Sequence, residues 1–364
     1  VIVEEELQQA AGPKPQGGFI NGLKTHLKRR WQIYIGILIS AFFTYRVMLK
    51  IWDQLGEVWS YMAKARYIWI LPGVAIYFFG VWARTWRWHY MLRPLKKVSL
   101  RRLFPIVCIG YMGNNIFPAR AGEILRAYVL RREEDVSISA SLATILAERI
   151  FDGIVMLLFV FVGLFISTRS IPVRWRSFVI LFTLLFFGAL IAFFLLAVSP
   201  QRTQRIYNWF IDRLVPERFR QPVRDVADRF LDGLRCLRSP ADLGMVFLTS
   251  VVVWLAETGK YWFVMHSFIF PDDPTGFPVS FFVLMLMNGV VNLFTTLPAA
   301  PGYIGTFDDP GIEILSAFGV SEAAAAAYTF SLHAALWLPI TLLGAFYMLR
   351  KGISWGSARQ EVGR

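Results

Sequence analysis

Asn114-Asn115-Ile116-Phe117-Pro118-Ala119-Arg120-Ala121-Gly122-Glu123 interrupts an otherwise apolar segment. About half a chain later the interruption recurs as Leu297-Pro298-Ala299-Ala300-Pro301-Gly302-Tyr303-Ile304-Gly305-Thr306-Phe307-Asp308, with Asn292 ahead of it. Proline and glycine break helices, and bare backbone at membrane depth is tolerated only where protein or a wet cavity satisfies it. Paired interruptions in the two halves of a membrane protein point to a substrate site between them.

Composition places the chain in a membrane. It is 56% hydrophobic and 17% charged, against roughly 25% charge in a soluble domain. Apolar stretches near 31–50, 67–90, 138–167, 177–198, 242–268 and 321–349 reach or approach the ~20 residues of a spanning helix. Tryptophan and tyrosine gather near their ends, as interfacial residues do. Cys108 and Cys236 form neither a disulfide framework nor a metal spacing. The N-terminus, Glu4-Glu5-Glu6 followed by Gly, Pro and Gln up to Gly18, has no signal-peptide core and is expected to be disordered. The net charge of +13 fits cytoplasmic loops and anionic phospholipids better than nucleic acid.

Basic loops orient the helices. Residues 84–102 hold seven Arg/Lys and no acid, 24–30 hold four, 199–242 carry nine Arg against six acids, and the tail is basic from Arg350. These segments read as cytoplasmic, and both termini with them. Loop 267–277, with Asp272-Asp273, reads as external; loop 169–176, with three arginines, dissents. Parity between the cytoplasmic loops requires the segments 103–130 and 278–320 each to dip in and return. The expected fold is all-α and polytopic: six full transmembrane helices plus two oppositely oriented re-entrant hairpins, an inverted repeat. A basic N-terminus 1–30 leads into a first half, 31–198. A cytoplasmic linker 199–241 precedes a second half, 242–350, and a tail 351–364.

Other residues follow the repeat. Trp82-Ala83-Arg84-Thr85-Trp86-Arg87-Trp88 precedes the first hairpin, and Trp254-Leu255-Ala256-Glu257-Thr258-Gly259-Lys260-Tyr261-Trp262 the second. After each hairpin a helix opens with Val-Ser, at Val136-Ser137 and Val320-Ser321, which sets Arg149 and His333 at matching depths. In the linker, apolar residues at helical spacing alternate with arginines. Pro216 and Pro222 are expected to split it into two amphipathic helices lying on the inner leaflet.

Charges within apolar helices are the sharpest chemical signal, because each costs several kcal/mol unless paired or wet. Glu148, Arg149 and Asp152 share one helix, spaced for mutual pairing. They form either a packing network or the wall of a polar cavity, with Arg149 meeting an anion or the acids relaying protons. Arg84 and Arg87 share a face, which suits a lipid phosphate between them or simple interfacial anchoring. Arg120, Glu123 and Arg126 recur every three residues after Pro118, and Gly122 opens a helix start whose N–H groups suit an anion. Asn114 and Asn115 suit broken backbone or a headgroup. Pro298, Pro301, Gly302, Gly305 and Thr306 repeat the helix start without an arginine, and Asp308 follows. Glu257 and Lys260 read as an internal salt bridge, and His333 as a packing histidine or a proton carrier. The four histidines are scattered, and no nucleotide loop or nucleophile elbow is present. No cofactor and no metal are expected.

The stretches Asn114–Glu123 with Arg126, Ala147-Glu148-Arg149-Ile150-Phe151-Asp152, and Leu297–Phe307 together resemble the lysylphosphatidylglycerol synthase transmembrane family, also called the flippase-like domain family. The second signature of that family usually ends in glutamate, where this chain has Asp308. The resemblance covers about 31–350. It implies a lipid-translocating scaffold in a bacterial or archaeal cytoplasmic membrane. In full-length relatives the domain moves aminoacylated phosphatidylglycerol outward, and a separate soluble domain attaches the amino acid. No such domain precedes Arg364, so lipid synthesis is not expected. Stand-alone members are linked to other cargo, including isoprenoid-linked sugars. The expected function is a flippase-like transporter moving a phosphate-bearing lipid by alternating access. The alternatives are a membrane enzyme on a lipid-phosphate carrier, with Glu148 or Asp152 as acid/base, and a scaffold for a separate lipid synthase. A homo-oligomer or such a synthase would be the protein partner.

Overall fold

The computed structural model describes residues 18–117, 120–166, 200–233, 239–270 and 275–354, together with Leu184, Gly188 and Ile191. Pro118, Cys236, Asp272-Asp273, loop 169–176, the acidic N-terminal run and most of 177–198 lie outside these residues. Among the described residues all regular structure is helical. In chain order the helices are α1 (Gly18–Ile51), α2 (Leu55–Lys64), α3 (Ile70–Leu92), α4 (Leu100–Ile116), α5 (Gly122–Glu134), α6 (Ile138–Ile166), α7 (Pro200–Leu214), α8 (Glu217–Gly233), α9 (Pro240–Met265), α10 (Phe281–Phe294), α11 (Asp308–Ala317) and α12 (Glu322–Arg350).

Among the described residues four stretches are long and apolar enough to cross a membrane: Tyr34–Lys64, Tyr67–Leu92, Ala241–Phe268 and Glu322–Arg350. Helix α6 is as long as α12, at 29 residues, or about 43 Å at 1.5 Å per residue. The expected sixth span, 177–198, falls outside the described residues.

The broken segments are helical hairpins. Lys96 Nζ donates to the Glu134 carbonyl at 2.7 Å, and Arg102 pairs with the Glu134 carboxylate at 3.2 Å, so the two ends of α4–α5 meet. The ends of α10–α11 meet as well, through Ser321 N–H and the Thr275 carbonyl at 2.9 Å. Gly122 lets the first hairpin close. A Cβ there would lie 2.0 Å from the Gly110 carbonyl oxygen, so only glycine permits this approach.

Helices α3 and α9 share the largest interface. They run antiparallel, because Gly73 lies against Val264, Gly80 against Ala256, and Arg93 against Asp242. One hairpin starts beyond the C-terminal end of α3 and the other beyond that of α9, so the hairpins enter from opposite ends. Each packs its incoming arm on the long helix of the other half, α4 on α12 and α10 on α6. The α4–α12 crossing is tight: a Cβ on Gly344 would lie 2.4 Å from Met112 Cβ.

In the linker, Pro216 separates α7 from α8, but Pro222 lies inside α8 and does not end it. The expectation of a break at both prolines is corrected. Pro222, the sixth residue of α8, gives up one intrahelical bond, and the packing of the apolar face of α8 on α6, with Leu231 buried, holds the helix together across it.

Each hairpin starts and ends together, so a re-entrant course would keep its flanks on one side of the membrane. In protein lacking Cys108 and Cys236, cysteines at Lys97 and Arg132 should label from one face of intact cells and a cysteine at Ala317 from the other. Labelling of 97 and 132 from opposite faces would make the first hairpin a full span.

Candidate functional site

Buried charge organises the centre of the molecule. Arg87 is fully buried and donates to Asp152 at 2.6 Å, Glu148 at 2.7 Å and the Ser250 hydroxyl at 2.8 Å. Arg126 completes the pairing of Glu148 at 2.9 Å and lies 3.6 Å under the Trp88 ring. Trp254 Nε1 donates to Asp152 at 3.0 Å. On the neighbouring turn Arg84 pairs with Glu257 at 2.5 Å, and Lys260 pairs with the other Glu257 oxygen. Every carboxylate here accepts from at least two donors, the condition for keeping charge in a low-dielectric interior.

Two sequence expectations change. Arg87 does not wait for a lipid phosphate or anchor at the interface, because its guanidinium is spent on Glu148 and Asp152. Arg126 pairs with Glu148 through one terminal nitrogen, and its Nε and other terminal nitrogen are buried without a hydrogen-bond partner. Nor is Arg149 the main countercharge of its own helix: it stands 3.4 Å from Asp152, 3.5 Å from Glu148 and 3.6 Å from Glu123, with about a third of its side chain exposed.

Arg149 instead faces a cavity of about 150 Å³ between the two hairpin tips. Of the residues singled out from sequence, Arg84, Asn114, Asn115, Arg120, Arg149, Asp152, Glu257, Lys260, Asn292, Gly302 and His333 line it. Both tips reach it through matching backbone, since Arg120 (φ 55°) and Tyr303 (φ 59°) each take the left-handed conformation. Asn115 ties the first tip to α12 through the Thr341 hydroxyl at 2.8 Å. His333 ties α12 to the second tip through Asp308 at 2.8 Å and the Gly302 carbonyl at 2.7 Å.

The other singled-out residues build the frame. Gly122 is packed against α4, so the start of α5 does not offer the anion cradle read from sequence. Gly305 N–H donates to Asp308 at 2.9 Å, Thr306 hydroxyl bonds the Tyr303 carbonyl, and Pro298 and Pro301 face outward. Glu123 stands behind Arg149 and Arg120, and Glu148 behind Arg87. Sequence reasoning passed over Tyr77, Tyr111 and Trp337, and read Trp254, Tyr261, Tyr303 and Phe307 only as parts of the repeat, although all seven form an aromatic wall of the cavity. Its signal was the placing of Tyr111 and Trp337 one turn from Asn114 and His333; they were read only as generic membrane aromatics.

The cavity holds donors in search of an acceptor. Among the lining residues the buried Nε atoms of Arg84, Arg120 and Arg149 and the Trp337 Nε1 have no hydrogen-bond partner, nor has the acceptor Asn114 Oδ1, while Arg149 Nε stands 3.6 Å from Glu123. An anion with several oxygens satisfies such a set.

The pairing makes a stability contrast. Arg87→Ala removes the fully buried countercharge shared by two buried carboxylates and should cost about 3–5 kcal/mol. Arg149→Ala, at a side chain about a third exposed, should cost far less. Thermal unfolding in detergent would compare them, and equal loss in both would contradict the assignment.

The family model described as the lysylphosphatidylglycerol synthase TM region matches residues 33–344. A UPF0104 membrane protein of Methanothermobacter thermautotrophicus is 26% identical over 75% of this chain and 82% of its own. A protein named glycosyltransferase AglD, from Haloferax volcanii, is 24% identical over 93% of this chain but only 57% of its own length. A UPF0104 membrane protein of Pyrococcus horikoshii is 23% identical over 87% and 96% of the two chains. No solved structure matches. The match spans both hairpins and the charge network between them, and the chain belongs to the lysylphosphatidylglycerol synthase TM-region family of membrane proteins.

Proposed function

We propose that this protein is a flippase-like transporter that carries a phosphate-bearing lipid across the membrane. The observation that carries the reading is the polar cavity between two oppositely entering hairpins, with the guanidinium-bearing Arg120 and Arg149 in its lining. A phosphate headgroup supplies the missing acceptors, while acyl or isoprenoid chains stay in lipid. Aromatic side chains along the wall give the rest of a headgroup an apolar, stackable surface. Two halves related by inversion supply the geometry for alternating access.

The reading as a lipid-phosphate enzyme needs Glu148 or Asp152 to move protons. Each is held by guanidinium groups, and Glu148 is wholly buried behind Arg87. That arrangement favours a fixed framework over acid/base chemistry, and it favours transport over the enzyme.

Charge-assisted hydrogen bonds are worth about 1.5–3 kcal/mol each. Arg120→Gln should therefore slow movement of labelled phosphatidylglycerol in proteoliposomes by roughly tenfold or more, with the fold intact. Unchanged movement in Arg120→Gln, or no movement of any phosphate-bearing lipid by the wild type, would overturn the reading.

A further inference from the structure

Helices α6 and α12 occupy equivalent places in the two halves, and each turns one basic residue toward the acid at the start of its own outgoing arm. In the first half the pair is Arg149 with Glu123, at 3.6 Å. In the second it is His333 with Asp308, at 2.8 Å. The first cation is permanent; the second is titratable.

The hydrogen bonds of His333 count its protons. Nδ1 faces a carboxylate oxygen and Nε2 faces the Gly302 carbonyl at 2.7 Å. Both partners are acceptors, so the two contacts need two protons. A neutral imidazole beside a carboxylate carries one. Both contacts are hydrogen bonds at once only when the dyad holds one additional proton, and losing it breaks a contact at one end of the second tip. The other Asp308 oxygen already accepts the Gly305 N–H, so the same carboxylate fixes the tip from both sides.

The surroundings make that proton responsive to cargo. On α1, Arg46 and Lys50 are paired with Asp309 and Glu313. Arg84, Glu257 and Lys260 on α3 and α9 are paired with one another. Arg120 and Arg149 also line the cavity, at the looser distances of 4.0 Å from Glu123 for Arg120 and 3.4–3.6 Å from Asp152, Glu148 and Glu123 for Arg149, and Tyr303 lines it beside them. An anionic headgroup bound to those arginines lowers the potential at His333 and favours its proton. By reciprocity the proton strengthens binding of the anion.

We propose that the His333–Asp308 dyad is a proton-binding site that loads one proton with each anionic lipid headgroup, which makes the protein a proton–lipid symporter. The proton comes from water on the side to which the cavity is open, bonds to an imidazole nitrogen, and leaves to water on the other side with the lipid. This rests on the transport reading above and adds its driving force.

The test uses the full protein in liposomes with the membrane potential clamped at zero and acyl-labelled phosphatidylglycerol, a phosphodiester with no proton of its own to titrate near neutrality. With one proton per lipid, a gradient of one pH unit should hold about a tenfold lipid asymmetry between leaflets. His333→Gln and His333→Lys should bring the ratio near one. In 15N-histidine-labelled wild type at mildly acidic pH, both His333 ring nitrogens should appear protonated, with His333→Gln identifying the signal. A wild type that moves lipid but ignores the gradient overturns the symport and leaves the transport reading standing. A wild type that moves no lipid fails the transport reading first. A singly protonated His333 ring removes the dyad in either case.

Discussion

Arg84 and Glu257 meet at 2.5 Å, both buried, where α3 and α9 cross. An ion in an apolar interior is tolerable only when its partner is fixed, and removing one partner of such a pair costs about 3–5 kcal/mol. The need for partners explains why α3 and α9 lie together. Arg84 reaches Glu257, Arg87 reaches Ser250, and Lys260 sits over the Tyr77 ring at 4.5 Å. With the two helices locked antiparallel, each hairpin must enter from its own end. Both tips then arrive at the same depth and leave a polar space between them.

The two halves repeat one plan with exchanged chemistry. Thr85 and Thr258 both bond the carbonyl one turn back. Trp88 Nε1 donates to Thr144 on α6, while the Tyr261 carbonyl accepts from Tyr328 on α12. At the matching positions Arg84 faces Glu257, so the pair that joins the halves is itself formed by equivalent residues. The exchange of Arg149 for His333 is of the same kind, and it gives the halves different electrostatics on one frame.

Much of this was legible in the chain. Paired Pro/Gly breaks located the two interruptions between helices, because these residues end helices and a glycine such as Gly122 is demanded by steric approach. The matching of Arg149 with His333 was also readable from the Val-Ser helix starts. Apart from the local Glu257–Lys260 pair, ion partners were not. Helical spacing favours Arg149 for Asp152, but the better partner, Arg87, comes from a helix 65 residues earlier in sequence. Local spacing carries no information about which distant helix faces which. The aromatic wall escaped for a related reason: aromatic residues are common throughout membrane helices, and only the fold selects those that turn inward.

The most direct test of the account is whether α3 and α9 abut at their crossing. A Cβ built on Gly80 lies 3.6 Å from Ala256 Cβ, close to the ~3.8 Å mean of a disulfide. In protein lacking Cys108 and Cys236, Gly80→Cys with Ala256→Cys should form an intramolecular disulfide under mild oxidation, seen as a mobility shift reversed by reductant. Two cysteines that remain free in folded protein would contradict the antiparallel pairing on which both the cavity and the inverted halves depend.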